Sequence, residues 1–490
     1  MLYPPKAVWN QASSKYSHFP IIKEVKDLPP PQHSLRTLLS HKRPFLLESP
    51  KPYPITARYS FVGADPFLIF RSKGPHIWLE RGGEAAQSKG DPFEALRSLI
   101  RRYRSPRLPE APPFAGGAVG FLSYEARHFF EKLPQRAKDD LGLPDLEFLF
   151  VDRLAAYDHL EKKAWLIYLA ETKEPFEKAL RKALGWMDGF EMELKRPALV
   201  EERAGMESGE IETYMTRKFF EEMVWRAKRY IRAGDIFQAN LSQRLSASCR
   251  AHPFQLYCRL QQINPSPFSC YVDFGDFTIA SSSPERLLRK QGEWVETRPI
   301  AGTRPRGKTP LEDVEKSLEL LLSEKERAEH LMLVDLERND LGRVCRYGTV
   351  EVDELMALEE YSHVIHIVSN VRGRLEEGKD GFDLIRAAFP GGTITGTPKV
   401  RCMEIIDELE PVARGPYTGS LGYIGFNGDL DLNILIRSFV LKDQRAYVQV
   451  GSGIVADSDP SREYEESLFK AQALLEALAV KPEAPVSHAV

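Results

Sequence analysis

Residues 446–478 read AYVQVGSGIVADSDPSREYEESLFKAQALLEAL, a strand-like run that passes through a short polar turn into a helical pattern. In the strand part Gly451 and Gly453 share one face. Missing side chains there weaken packing but let a ligand or another backbone come close, and a β-bulge is the other reading. In the helical part Glu463 and Glu466 stand one turn apart, so their carboxylates point the same way and repel unless a cation or bonding partner joins them. The same spacing recurs in 325-KERAEHLMLV, where Glu326 and Glu329 precede an apolar run. With Lys325 and Arg327 as neighbours, that stretch also reads as a solvated helix face. Four carboxylates on two helices could supply oxygen ligands to a hard divalent cation, and Mg2+ is typically held by one or two carboxylates, waters and substrate oxygens.

Composition narrows the field. A chain of 490 residues, 42% hydrophobic and 28% charged, is ordinary for a globular protein and long enough for two to four domain-sized units. Its 67 basic and 70 acidic residues leave a net charge of −3, so nothing global attracts nucleic acid or an anionic membrane. No run is long and apolar enough to span a bilayer, and the first residues lack the apolar core of a secretory signal, so a cytoplasmic protein is expected. Five scattered cysteines without a CxxC pair argue against a disulfide framework or a zinc site.

Turn signals divide 45-FLLES, 59-YSFVGADPFLIF and 77-IWLE into short antiparallel strands. A helix follows from Pro92 to about Tyr103, then a Gly-rich apolar turn at 112-PPFAGGAVGFLSYE. The segment 146-LEFLFVDRLAAYDHLEKKAWLIYLA predicts two hairpin strands. The polar stretch 191–212 is the best connection between an N-terminal region, 1–200, and a C-terminal domain, 213–477, with 478–490 as a loose tail. A helix from Thr213 stops at Gly234.

The stretch 390-PGGTITGTPKV has the GxxxxG spacing of a phosphate loop from Gly391 to Gly396, but continues Thr-Pro-Lys where that loop needs Lys followed by Ser or Thr. Thr397 as cap and Pro398 as first helical residue mark a helix start, where free N–H groups beside Lys399 would suit a carboxylate ligand as well as a plain turn. Arg437, inside the otherwise apolar 430-LDLNILIRSFVL, needs an anion from protein or substrate. His366 shares strand parity with Ser362 and Val364, while His363 takes the other face.

Taken together, 234-GDIFQANLSQR, 281-SSSPERLL, 299-PIAGTRPRG, 335-DLERNDLGR, 361-YSHVIHIVS, the Gly391 turn and 451-GSGIVADSDP resemble the chorismate-utilising enzymes. That family includes anthranilate synthase component I, aminodeoxychorismate synthase component I, isochorismate synthase and salicylate synthase. The resemblance is dense from Gly234 to Ala473 and thinner in FLLES and ARYSFVGADPF. It implies an α+β fold, a sandwich of largely antiparallel β-sheets wrapped by helices, with chorismate between the sheets. It implies that Glu326, Glu329, Glu463 and Glu466 surround Mg2+, and that Tyr417, Arg437 and the Gly451 to Gly453 backbone hold the substrate. His366 and Thr393 would line the ring, and Glu285 would be the general acid at the 4-hydroxyl. Members that add water carry a lysine base where this chain has Gln238, so ammonia is the expected nucleophile. No glutaminase cysteine context occurs in the chain, so a separate glutamine amidotransferase subunit is the expected partner.

FQANLSQ with Asn240, NPSPFSCYVDF, SSSPER, DLERNDLG and DLNILIR are closer to aminodeoxychorismate synthases than to anthranilate synthases. Against this, Ala301 replaces the lysine of the PIKGT motif that many aminodeoxychorismate synthases carry. Glu48 and Ser49 of FLLES resemble the tryptophan-binding element of feedback-inhibited anthranilate synthases, although NPSPF departs from the usual opposite wall. The expected function is thus that of an aminodeoxychorismate synthase component I, with anthranilate synthase component I as the alternative and a chorismate-binding regulatory subunit without turnover as the third reading.

Overall fold

The computed structural model describes residues 2–50, 58–197, 209–307, 309–360, 364–479 and 487–488. Part of the 191–212 connection, Ser362 and His363, and most of the 478–490 tail therefore lie outside the described residues. Two large sheets, one of fourteen strands and one of twelve, lie face to face. Apart from the short parallel contact of Glu212–Thr213 with Ser487–His488, the paired strands are antiparallel.

Period-two alternation places each strand's side chains on two different buried faces. In Leu146–Val151, Leu146, Phe148 and Phe150 join helices such as Pro92–Ile100 and Gly381–Ala388, while Leu149 and Val151 enter the core between the sheets. In Arg153–Asp158, Leu154 and Ala156 enter that inner core, whereas Ala155 and Tyr157 face helices such as Phe176–Leu194. The layers run helix, sheet, sheet, helix, the sandwich expected from the resemblance.

The two predicted strands of 146–170 are three: Leu146–Val151, Arg153–Asp158 and Lys163–Glu171. Asp152 ends pairing in the twelve-stranded sheet, and the chain continues in the fourteen-stranded one. The Gly-rich stretch 112–125 bends at Pro113, Ala115 and Gly116 and then continues as the strand Gly117–Leu122.

Asp152 belongs to a pattern. Tyr59–Gly63 and Leu68–Lys73 lie in different sheets and run beside Arg153–Asp158 and Leu146–Val151, respectively. They form a two-stranded ribbon that bends from one sheet into the other. Thr278–Ser283 and Arg286–Gln291, beside Ser438–Lys442 and Leu430–Asn433, form a second such ribbon.

The N-terminal and C-terminal regions meet edge to edge in both sheets. Phe45–Glu48 pairs with Phe268–Asp273, and Gly117–Leu122 pairs with Ser420–Gly425. The 191–212 connection therefore joins two regions that share their sheets.

Candidate active site

The second ribbon's bend carries two of the expected residues. Glu285 lies between Thr278–Ser283 and Arg286–Gln291, and Arg437 ends the break between Leu430–Asn433 and Ser438–Lys442. Arg437 is thus not inside a strand, as the apolar run suggested: its φ of 52° turns the chain out of one sheet toward the other. The two bends are tied together. Ile434 N–H donates to the Glu285 carbonyl at 3.0 Å, the Ser283 hydroxyl donates to the Ile434 carbonyl at 2.5 Å, and Ser282 N–H donates to the Arg437 carbonyl at 3.1 Å.

Glu285 is 4% exposed. Burial pushes its carboxyl up to about 8; the Thr393 hydroxyl and the Arg437 charge oppose the shift, and Glu337 adds to it. Neither Glu285 Oε1 nor the Thr393 hydroxyl meets a protein partner at hydrogen-bonding geometry. Such a carboxyl stays protonated at neutral pH and can give its proton to a leaving hydroxyl. His366, in the strand Val364–Arg374, is buried, and its Nδ1 lies 2.8 Å from the Thr303 hydroxyl. Burial, helped by Arg437, brings its pKa down to about 3, so the imidazole is neutral.

Strand Arg445–Ile454 runs against Gln238–Ser248 in unbroken register, Asn240 opposite Gly453 and Ser242 opposite Gly451, so neither glycine marks a bulge. Each leaves room for a neighbour. A Cβ on Gly451 would lie 2.5 Å from the Leu241 carbonyl and 3.0 Å from the Tyr417 hydroxyl, and one on Gly453 would lie 2.4 Å from Gln238 Nε2.

The carboxylate pairs begin the helices Glu324–Gly342 and Pro460–Ala477, capped by Ser323 and Asp459. Gln238 Nε2 donates to Glu329 Oε1 at 2.9 Å. Glu326 Oε1 accepts from Arg304 at 3.1 Å, and Lys470 lies 2.8 Å from Glu466. Burial raises the pKa values of Glu329 and Glu463; Glu326 adds to the first shift and Glu466 to the second, while Lys470 opposes both. A Cβ on Gly453 would lie 3.7 Å from Glu329 Oε1, and Lys470, one turn beyond Glu466, reaches the same strand at Gly451, so the two pairs flank a common space. Among the described residues no three carboxylate, imidazole or thiol groups converge closely enough to hold an ion as they stand. The donor chemistry fits a hard cation, since clustered carboxylates with raised proton affinity are relieved by positive charge.

Lys399, read as a cation for a substrate carboxylate, is committed elsewhere. Its ammonium donates to Asp340 at 2.5 Å and to the Ala388 carbonyl at 2.8 Å, because a buried aspartate must be neutralised. The helix it opens is Lys399–Leu409 with Pro398 at the capping position, so Thr397 is not the cap; it pairs with Gln238 instead.

Two residues stand out only in three dimensions. Lys470 also donates to the Gly451 carbonyl at 3.1 Å, bridging the glycine strand and the carboxylate helix. Arg414, 3% exposed, donates to Glu410, Thr418 and the carbonyls of Ile394 and Asn240, which braces the floor beneath Tyr417. Helical spacing from Glu466 could have suggested Lys470. Nothing local marks Arg414.

Glu48 and Ser49 line a separate cavity of about 260 Å³ with Tyr59, Phe268, Cys270 and Tyr423. The Glu48 carboxylate accepts from the Tyr257 hydroxyl at 2.5 Å and from Gln32 Nε2 at 3.1 Å, while the Ser49 hydroxyl donates to the Pro267 carbonyl at 3.1 Å.

Comparison with known proteins gives a common answer. The profile of the chorismate binding enzyme family matches residues 44–476. The chain is 43% identical over 487 residues to anthranilate synthase component 1 of Acetivibrio thermocellus, covering 98% of this chain and 99% of that protein. It is 47% identical over 445 residues to aminodeoxychorismate synthase component 1 of Bacillus subtilis, covering 91% and 93%. The crystal structure of anthranilate synthase component I from Streptococcus pneumoniae superposes with a TM-score of 0.76 at 35% identity, covering 86% of this chain and 93% of that one. The menaquinone-specific isochorismate synthase of Escherichia coli, 17% identical over 94% and 95% of the two chains, shares the fold with a TM-score of 0.71. A family profile spanning both shared sheets, with relatives matching nearly end to end, makes the chain a member of the chorismate-binding enzyme family.

Proposed function

We propose that this enzyme is an aminodeoxychorismate synthase component I, converting chorismate and ammonia to 4-amino-4-deoxychorismate and water. The observation that carries this reading is where the aminodeoxychorismate-like segments sit. SSSPER supplies Glu285, DLNILIR supplies Arg437, FQANLSQ supplies Gln238 and Asn240, and DLERNDLG supplies Glu337 behind Glu285. Each of these four segments brings at least one buried residue to the site, while the fifth, NPSPFSCYVDF, lines the Glu48 and Ser49 cavity.

Each residue then takes a role. Glu285, protonated at neutral pH, donates to the departing 4-hydroxyl. Arg437 and the Tyr417 hydroxyl hold the enolpyruvyl carboxylate against the bare backbone of Gly451 and Gly453. Neutral His366, fixed by Thr303, lines the ring with Thr393. Glu326, Glu329, Glu463 and Glu466 would hold Mg2+, which would supply positive charge for the ring carboxylate and for charge developing in the reaction. Gln238, bonded to Glu329 and carrying no ionisable amine, cannot serve as the base that water addition needs. Ammonia, supplied by a separate glutamine amidotransferase subunit, therefore enters. Because Ala301 offers no nucleophile, ammonia attacks C2 first as the protonated 4-hydroxyl leaves as water, and a second ammonia at C4 then expels the first from C2.

Ala301 also favours a second reading, in which the C2 amine stays, pyruvate is eliminated and anthranilate forms. The Glu48 and Ser49 cavity fits that reading as a tryptophan site. One chromatogram separates them: enzyme, Mg2+, chorismate and ammonium should give 4-amino-4-deoxychorismate, which an added lyase turns into para-aminobenzoate. Fluorescent anthranilate as sole product, unchanged by the lyase, would replace the first reading with the second.

A further inference from the structure

Each of the four carboxylates read as metal ligands already has a partner within the protein. Glu329 accepts from Gln238, Glu466 pairs with Lys470, and serines 452 and 458 favour the charged form of Glu463. Glu326 is held by Arg304, from the strand Ile300–Pro305. This arginine has two hands. Its Nε donates to Glu319 at 2.9 Å, on the helix Pro310–Leu322, while its Nη1 donates to Glu326 at 3.1 Å and to the Thr303 carbonyl at 3.0 Å. The neighbouring Gly302, at a φ of +73°, brings bare backbone against the other oxygen: a Cβ there would lie 3.1 Å from Glu326 Oε2. One oxygen of Glu326 is thus bonded to Arg304, and the other lies beside the bare backbone of Gly302.

We propose that Arg304 is a positioning residue that competes with the divalent cation for Glu326, holding this carboxylate back from its three companions until a metal ion displaces the guanidinium. The inference rests on the Mg2+ reading of the site. Two features make the exchange easy. Arg304 and Glu326 are both partly exposed, and ion pairs of that kind are weak. When Glu326 leaves, the guanidinium keeps Glu319 and the Thr303 carbonyl, so no buried charge is stranded. The exchange also reaches the ring-lining side of the site, because Thr303, next to Arg304 on the same strand, fixes His366.

The test uses Mn2+ as a paramagnetic probe, titrated into the full chain without chorismate, with free Mn2+ read by electron paramagnetic resonance. Arg304→Gln removes the competing charge; Arg304→Lys keeps the charge but loses the two-handed grip. Both variants should bind Mn2+ about threefold to tenfold more tightly than wild type, while Glu329→Gln should bind at least tenfold more weakly. Tightening in Arg304→Gln alone would mean general charge and would overturn the proposal, as would unchanged or weaker binding in both, with the metal reading standing if Glu329→Gln still loses affinity. Wild-type binding that Glu329→Gln leaves untouched would overturn the metal reading and this proposal together.

Discussion

The two bent ribbons follow one path with different contents. In the N-terminal ribbon the bend is filled by an aromatic side chain: Phe67 packs against Tyr103, Phe150 and Phe426, with ring centroids 5.2, 6.2 and 6.4 Å away. In the C-terminal ribbon the equivalent bend holds Glu285 and Arg437, with His366 near enough to feel the arginine's charge. A strand leaving one sheet for another must stop pairing for a few residues. Those residues can close the gap with apolar surface, or leave polar groups facing a space that a ligand can fill. One bend does the first and the other the second.

Exchanging contents at each bend tests this contrast. Glu285→Gln should lower the rate of chorismate consumption about a thousandfold, the scale of a lost general acid, with little change in melting temperature. Asp152→Asn, in the N-terminal bend, should stay within about twofold of wild type in the same steady-state assay. A thousandfold loss in both, or in neither, would break the contrast.

The converse substitution is Phe67→Ala. Emptying a partly buried aromatic site should cost about 2–4 kcal/mol in urea unfolding, while kcat/KM per folded molecule stays at the wild-type value. A large kcat loss without destabilisation would show that the aromatic bend also serves the reaction.

The smallest effect is on pH dependence. Burial raises Glu285 to about 8, so the folded chain holds this proton more tightly than the unfolded chain, whose ordinary value is 4.5. The resulting stability is complete below the unfolded value and is lost as pH climbs through the folded one. Between pH 6 and 9 wild type should therefore lose roughly 3 kcal/mol more stability than Glu285→Gln in chemical unfolding. Activity should fall on the same alkaline limb as Glu285 gives up the proton it donates. Parallel stability profiles for the two proteins would remove Glu285 as the titrating group.

Much of this was legible in the residues themselves. Alternation and turn signals identify the strands at Phe45–Glu48 and Arg445–Ile454, and the carboxylate spacing identifies the starts of the helices Glu324–Gly342 and Pro460–Ala477, whereas the cap expected at Thr397 falls at Pro398. The carboxylate pairs announce themselves because helical spacing is local. What the residues conceal is a change of sheet. The runs LEFLFVDRLAAYD and LDLNILIRSFVL keep their apolar character through the bend, since both sides of the sandwich are buried, so nothing in the pattern separates one long strand from two. Arg437 therefore looked like a cation within a strand. Lys399 and Arg414 show a second limit: their partners Asp340, Asn240 and Ile394 lie 59, 174 and 20 residues away, so an electrostatic role cannot be read from neighbours in sequence.

The edge-to-edge seams between Phe45–Glu48 and Phe268–Asp273, and between Gly117–Leu122 and Ser420–Gly425, bear on how the chain comes apart. Each seam gives one region's strand its partner from the other, so unfolding either region strips the other of hydrogen bonds in both sheets and bares the apolar face between them. The regions then have no separate melting points. Amide protons at Leu46 and Leu421, far apart in sequence, should exchange with solvent through the same global opening, as one cooperative unit.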